Sequence, residues 1–256
     1  MHDIYARRNK MLAVQKEPFL MGYLLAGYPT VKEFLKIERT LETSQLDILE
    51  IGFPSKNPYA DGQIIADAHR HVDYDAAVSI GYWKKIRALT DKPVWIMAYN
   101  DDFIGTGYYR ELVQLELIDG IVIPDASLET RKRLQEELKD KNVDVIGFTN
   151  PDMTDRELDS VLPFFNFVYE QLYVGHTGEG KAENNHIHMI EYTLSKYPYV
   201  IPFAGFGVNT KEKLAQAYKE GFKGAVIGTE LIRRLNISCT ELLSFLKTVG
   251  RAKEAV

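Results

Sequence analysis

Two carboxylates eleven residues apart, Glu50 and Asp61, are the side chains best placed for acid–base chemistry. Glu50 lies in the apolar run Leu49-Glu50-Ile51-Gly52. On a strand Ile48 and Glu50 share one face, and Leu49 and Ile51 share the other. The carboxylate is therefore aimed among apolar side chains, where a charge must be paired, protonated or put to use. The plainer alternative is a glutamate at the core edge, tied to a backbone amide or an arginine. Asp61 follows a loop stiffened by Pro54 and Pro58 and precedes Gly62 and the apolar helical start Ile64-Ile65-Ala66. Its plainer alternative is a helix cap. Two carboxylates in unlike surroundings at one mouth can hold separated pKa values and divide proton donation from acceptance.

A second constellation suits an anion. Thr177-Gly178, Gly205-Phe206-Gly207 and Gly228-Thr229 follow three successive apolar runs, and the last opens a short helix, Glu230–Leu235. Glycine turns and a helix start present backbone amides to a phosphate. Other residues read as bland. His69 with His71, and His186 with His188, are spaced i, i+2, diverge on a helix and are expected at the surface rather than on a metal. Trp83 and Trp95 are expected to pack. Neither a nucleophile elbow nor a P-loop is present.

The elements that must position these groups are short β-rich runs: Phe19–Leu25, Leu46–Gly52, Val94–Tyr99, Gly120–Ile123, Val143–Phe148, Phe165–Tyr169, Val200–Ala204 and Gly224–Ile227. Several are apolar on successive residues, as strands buried on both faces are. Helical periodicity lies between them at Val31–Leu41, Leu128–Leu138, Lys211–Glu220 and Thr240–Val249, with Asp125 and Ser127 as cap residues before the second. Alternating strands and helices imply βαβ units and a parallel sheet. Gly105-Thr106-Gly107 lacks the third glycine of a dinucleotide fingerprint, and a chain of 256 residues has the length of a (β/α)8 TIM barrel. The expectation is an α/β protein, one barrel domain over residues 1–256, with its site at the carboxyl ends of the strands.

Hydrophobic residues make up 45% of the chain, enough for a sizeable core. The net charge of -5, with basic residues scattered, disfavours a nucleic-acid partner. The single cysteine, Cys239, excludes an intrachain disulfide and fits a reducing compartment. The start, Met1–Lys10, is polar and no apolar run has the length of a membrane span. A soluble cytoplasmic protein with no membrane contact is expected.

With these residues in place, the segment Leu46–Gly62 resembles the signature of tryptophan synthase alpha chains: an acidic residue ending strand two, a proline-rich loop, then Ala60-Asp61-Gly62. Leu25-Ala26-Gly27-Tyr28-Pro29 resembles the end of that family's first strand. Tyr169, with Thr177-Gly178 eight residues later, resembles the end of its sixth strand and mobile loop. Ala204-Gly205-Phe206-Gly207 and Ile227-Gly228-Thr229 resemble its phosphate loops. The likeness runs from about Phe19 to Leu235 in the family's order. It implies a retro-aldol cleavage of indole-3-glycerol phosphate to indole and glyceraldehyde 3-phosphate. By the same resemblance Glu50 would shuttle protons, and Asp61, oriented by Thr177, would meet the indole N–H. Tyr23, Ile65, Ile96, Tyr169 and Phe206 would line the indole pocket. Gly178, Gly207, Gly228 and Thr229 would hold the phosphate. No metal or cofactor would be needed in this chain, pyridoxal phosphate belonging to a partner beta chain in an α2β2 assembly.

The sequence departs from the family pattern where that partner would dock. Pro54-Ser55-Lys56-Asn57-Pro58 replaces Pro-Phe-Ser-Asp-Pro, and Asp125-Ala126-Ser127 replaces Asp-Leu-Pro. Gln63 stands where the family favours proline, Thr229 where it favours serine, and His176 where an apolar residue is common. Two other readings stay open at this point: an alpha-like subunit that mainly activates a beta chain, and another phosphate-binding barrel enzyme.

Overall fold

The computed structural model describes residues 3–172, 185–205 and 207–255. Nine strands follow one another: β1 Phe19–Leu25, β2 Ile48–Gly52, β3 Val94–Met97, β4 Gly120–Val122, β5 Asp144–Val145, β6 Gly147–Thr149, β7 Phe167–Gln171, β8 Ile201–Gly205 and β9 Gly224–Ile227. Every pairing between them is parallel, in the order β5-β4-β3-β2-β1-β9-β8-β7-β6. The two ends of that order, β5 and β6, are separated by Ile146 alone, so the sheet wraps back onto one stretch of chain and forms a nearly closed TIM barrel. The expected single strand Val143–Phe148 is thus two pieces, the first paired with β4 and the second with β7. Parallel neighbours need crossovers, and helices supply them. Val31–Leu41, Leu128–Glu137, Lys211–Lys219 and Cys239–Gly250 match the periodic segments closely. Their starts are capped by Thr30, Ser127, Thr210 and Ser238, each accepting a backbone N–H three residues on.

Alternation along the strands divides the apolar residues into two cores. Phe19 and Met21 of β1, Ile48 of β2, Trp95 of β3, Phe167 of β7 and Phe203 of β8 fill the barrel. The rings of Phe167 and Phe203 each lie with centroids 5.2 Å from Trp95, inside the range of favourable aromatic packing. The outward residues, among them Leu49, Ile51, Val94, Ile96 and Val168, pack with helix residues such as Phe34, Ile37, Trp83 and Leu134. Each such side chain contributes about 1.5–3 kcal/mol on burial.

The helix Arg7–Val14 closes the amino-terminal end of the barrel. Leu12 joins the interior core, and Asn9 donates to the Asp119 carbonyl at 2.7 Å and accepts from Trp95 Nε1 at 2.9 Å. The opposite end, where β1, β2, β7, β8 and β9 finish, holds a cavity among the described residues. No helix among the described residues is long and apolar enough to cross a membrane.

Candidate active site

Glu50 is in register with Tyr23 on β1 and Trp95 on β3, all three inward. It is 2% exposed. Among the described residues its hydrogen bond goes not to a backbone amide or an arginine but to Tyr169 on β7, whose hydroxyl donates to Oε1 at 2.5 Å. Met21 Sδ lies 3.1 Å from the same hydroxyl. Burial pushes the Glu50 carboxyl up to about 7, and the Tyr169 bond pulls it only part of the way back. Near neutral pH both protonation states are therefore populated. Beside it, Gly52 gives Tyr23 room: a Cβ there would lie 2.3 Å from the Tyr23 hydroxyl.

Asp61 ends the loop after β2. The helix Gln63–His71 that follows has Gly62 as its cap residue, so Asp61 is not spent on capping. Tyr99 donates to Asp61 Oδ2 at 2.7 Å and accepts the Ala60 N–H at 3.1 Å. Burial lifts the Asp61 carboxyl to about 6 against the lowering effect of Tyr99. His69 Nε2 lies 3.6 Å from the same oxygen. Tyr99 reaches Asp61 because β3 ends at Met97, two residues before the expected Tyr99, and the chain turns into the helix Asn100–Phe103 at the mouth.

One cavity of about 420 Å³ contains Tyr23, Glu50, Asp61, Ile65, Tyr169, Gly207, Gly228 and Thr229 in its wall. That volume lies in the range of small-ligand pockets. Ile96 is not brought to it. Its side chain points into the helix-facing core, because Trp95 and Met97 take the inward positions of β3, and Met97 lines the cavity instead. Thr177, Gly178 and Phe206 lie outside the described residues. Tyr99, Met97 and His69 belong to the cavity and were not expected there. His69 is a correction: it is 7% exposed, not a surface residue, and His186 is likewise buried, 3.1 Å from Glu220. His71 and His188 are exposed as expected. Strand alternation could have revealed Met97, since Glu50 facing inward requires its partner Trp95, and then Met97, to do so too.

At the other end of the cavity Gly207 holds φ +81° and Gly228 opens the helix Thr229–Leu235. The first amides of a helix have no intrahelical partner. Glu230 is buried there, with its carboxylate bound by Arg233 and by Arg234 Nε at 2.7 Å. Among the described residues no group of three or more His, Cys, Asp or Glu side chains is arranged to hold a metal ion.

A parallel barrel with two carboxylates of raised pKa in a cavity at its carboxyl mouth, and glycine turns after its last two strands, places the protein among the (β/α)8-barrel enzymes. Residues 10–253 match the family model described as tryptophan synthase alpha chain. The chain belongs to the tryptophan synthase alpha chain family, lyases that cleave indole-3-glycerol phosphate. It is 29% identical over 245 residues to a tryptophan synthase alpha chain of Methanosarcina mazei, covering 94% of this chain and 89% of that one. In fold it is similar to a tryptophan synthase structure from Mycobacterium tuberculosis, with TM-score 0.83, 20% identity and coverage of 96% and 98%. It is also similar to a chain of the tryptophan synthase α2β2 complex of Pyrococcus furiosus, with TM-score 0.77, 22% identity and coverage of 94% and 99%.

Proposed function

We propose that Glu50 and Asp61 divide the proton work of the family reaction, the retro-aldol cleavage of indole-3-glycerol phosphate to indole and glyceraldehyde 3-phosphate in tryptophan biosynthesis. The observation that carries this reading is the placement of buried Glu50 and half-buried Asp61, from β2 and its following loop, in one cavity beside Tyr23 and Tyr169. Protonated Glu50 delivers its proton to indole C3. Asp61, ionised, accepts the ring N–H and stabilises the positive charge that develops on the nitrogen. The glycerol carbon's hydroxyl then returns a proton to Glu50, its carbonyl forms, and the carbon–carbon electron pair goes back to the indole ring. One proton enters and one leaves, so the carboxyl ends as it began. A group that must be acid at one step and base at the next works best with a pKa near the operating pH. The ring itself is the electron sink, so the step uses no metal and no cofactor of this chain.

Ile65, Met97 and Tyr23 supply indole walls, with Phe206 and Thr177 as further contacts in this reading. The amides around Gly178, Gly207, Gly228 and Thr229 take the phosphate. The protein works in the cytoplasm as a single barrel domain, with a beta chain carrying pyridoxal phosphate in an α2β2 assembly. The similarity to the Pyrococcus furiosus complex supports that partner. So does the mouth, where exposed Tyr59 bonds Asp125 at 2.6 Å and ties together the two loops expected to face the beta chain. Indole release from indole-3-glycerol phosphate, with and without a beta chain, tests the reading. Release that rises with the beta chain is expected; none in either arm overturns it.

A further inference from the structure

His69 sits on the helix Gln63–His71, directly after Asp61, and is buried while its neighbours Arg70 and His71 are exposed. Its Nδ1 accepts the backbone N–H of Ser55 at 3.0 Å. In a neutral imidazole an accepting nitrogen carries no proton, so the proton resides on Nε2. Burial holds the ring's pKa down at about 4, which keeps it neutral through any ordinary assay pH. The Ser55 amide thus fixes both the tautomer and the ring plane, and the N–H that results faces Asp61 Oδ2 at 3.6 Å. That distance is beyond a hydrogen bond, but such contacts tighten when substrate arrives. Tyr99 already donates to the same oxygen. One donor is thus bonded to Oδ2 and a second N–H, from another element, stands within reach, and a carboxylate's terminal torsion is otherwise soft.

We propose that His69 is a positioning residue: its Nε2–H closes onto Asp61 Oδ2 when substrate binds, fixing the carboxylate so that Oδ1 meets the substrate's ring N–H. This rests on the reading of Asp61 as the group that meets the indole nitrogen. Misplacing a catalytic group by about 1 Å can cost about 10²-fold, so the role falls on turnover.

Two conservative variants separate positioning from structural support. In His69→Gln the side-chain amide reaches as far as Nε2 and can donate to Asp61, while the Ser55 bond is lost. In His69→Asn the side-chain oxygen takes the place of Nδ1 and keeps the Ser55 bond, while Asp61 is out of reach. With saturating beta chain, kcat, KM and Tm are measured for both, beside the unmodified protein and Asp61→Asn. Positioning predicts that His69→Gln exceeds His69→Asn in kcat by about tenfold or more, with the lower Tm in the faster variant. A kcat ratio near one, or one favouring His69→Asn, overturns it. Full turnover in Asp61→Asn would instead defeat the reading of Asp61, whatever the histidine variants do.

Discussion

Both ends of the barrel hold carboxylates out of full solvent contact, Asp61 less completely than Glu50, Asp119 and Asp144, and treat them differently. At the closed floor, Asp119 accepts from Arg8 at 3.3 Å, Arg87 at 2.8 Å and the Val94 N–H at 2.9 Å. Asp144 accepts from Asn9 at 2.8 Å and from the Tyr5 and Ala6 amides at 2.9 and 3.2 Å. At the mouth, among the described residues, Glu50 takes one bond from Tyr169, and Asp61 takes one from Tyr99 with His69 standing off. Proton affinity alone does not separate the ends, since burial lifts Asp144 to about 6 as well. The number of donors among the described residues does. A floor carboxylate has spent its lone pairs on the fold; on the reading proposed above, a mouth carboxylate turns its own toward a ligand.

That contrast is broken most sharply at Glu50. Glu50→Gln keeps the shape and the Tyr169 contact but moves no proton. Turnover, measured by single-turnover indole release, is expected to fall by about 10² to 10⁴-fold, with the circular dichroism spectrum unchanged. The floor answers in the other currency. Asp119→Ala takes the counter-ion from Arg87, whose side chain is 9% exposed and keeps the Thr90 and Lys92 carbonyls, and leaves the Val94 amide without its acceptor. Removing one partner of a buried pair costs about 3–5 kcal/mol, a Tm loss of roughly 6–20 °C for a chain of this size. The kcat of the folded fraction should hold. If Asp119→Ala slows turnover at full stability, the two ends do not divide fold from function.

Acid titration sharpens the same point. Glu50 has its pKa raised from 4.5 to about 7 by burial. A raised folded pKa contributes stability that is fully present below the unfolded value and is lost as pH rises through the folded one. The protein should therefore lose stability relative to Glu50→Gln between about pH 4.5 and 7. At about 1.4 kcal/mol per pH unit the gap reaches about 3 kcal/mol by pH 8. Denaturant midpoints of the two proteins across that window check it; parallel curves would mean that Glu50 titrates normally.

The smallest expected effect is at the phosphate end. On the reading proposed above, Gly207→Asp sets a carboxylate against the substrate's phosphate. Gly207→Asn carries the same positive φ, which asparagine tolerates, without the charge. KM should rise at least about tenfold in the aspartate variant over the asparagine one, an energy of about 1.4 kcal/mol. Equal KM values would remove Gly207 from the phosphate site.

Where sequence reasoning succeeded, the physics was local. Phe19–Leu25, Val31–Leu41 and Gly224–Ile227 have the bounds that their patterning predicts. Where it missed, a distant partner decided. The helix Arg7–Val14 is polar and lacks a side-chain cap, so nothing in its own residues announces it. Its place comes from Asn9, which meets Trp95 across 86 residues of chain. For His69, the i, i+2 argument correctly separated it from His71, but only the packing shows which of the two is buried. Ile96 was a different kind of miss: the strand alternation that turned Glu50 inward also turns Ile96 outward, beside Ile51.

By itself, the sequence determined which chemistry was on hand and which way it pointed: the Glu50–Asp61 spacing, the inward face of β2 and the glycine turns. Side-chain alternation and backbone freedom act over only a few residues, so they can be read there. The tertiary structure alone decided what meets those carboxylates. Tyr169 reaches Glu50 across 119 residues and Tyr99 reaches Asp61 across 38. Those meetings, and the burial that raises both pKa values, exist only once the sheet has wrapped nearly into a closed barrel and brought β7 opposite β2.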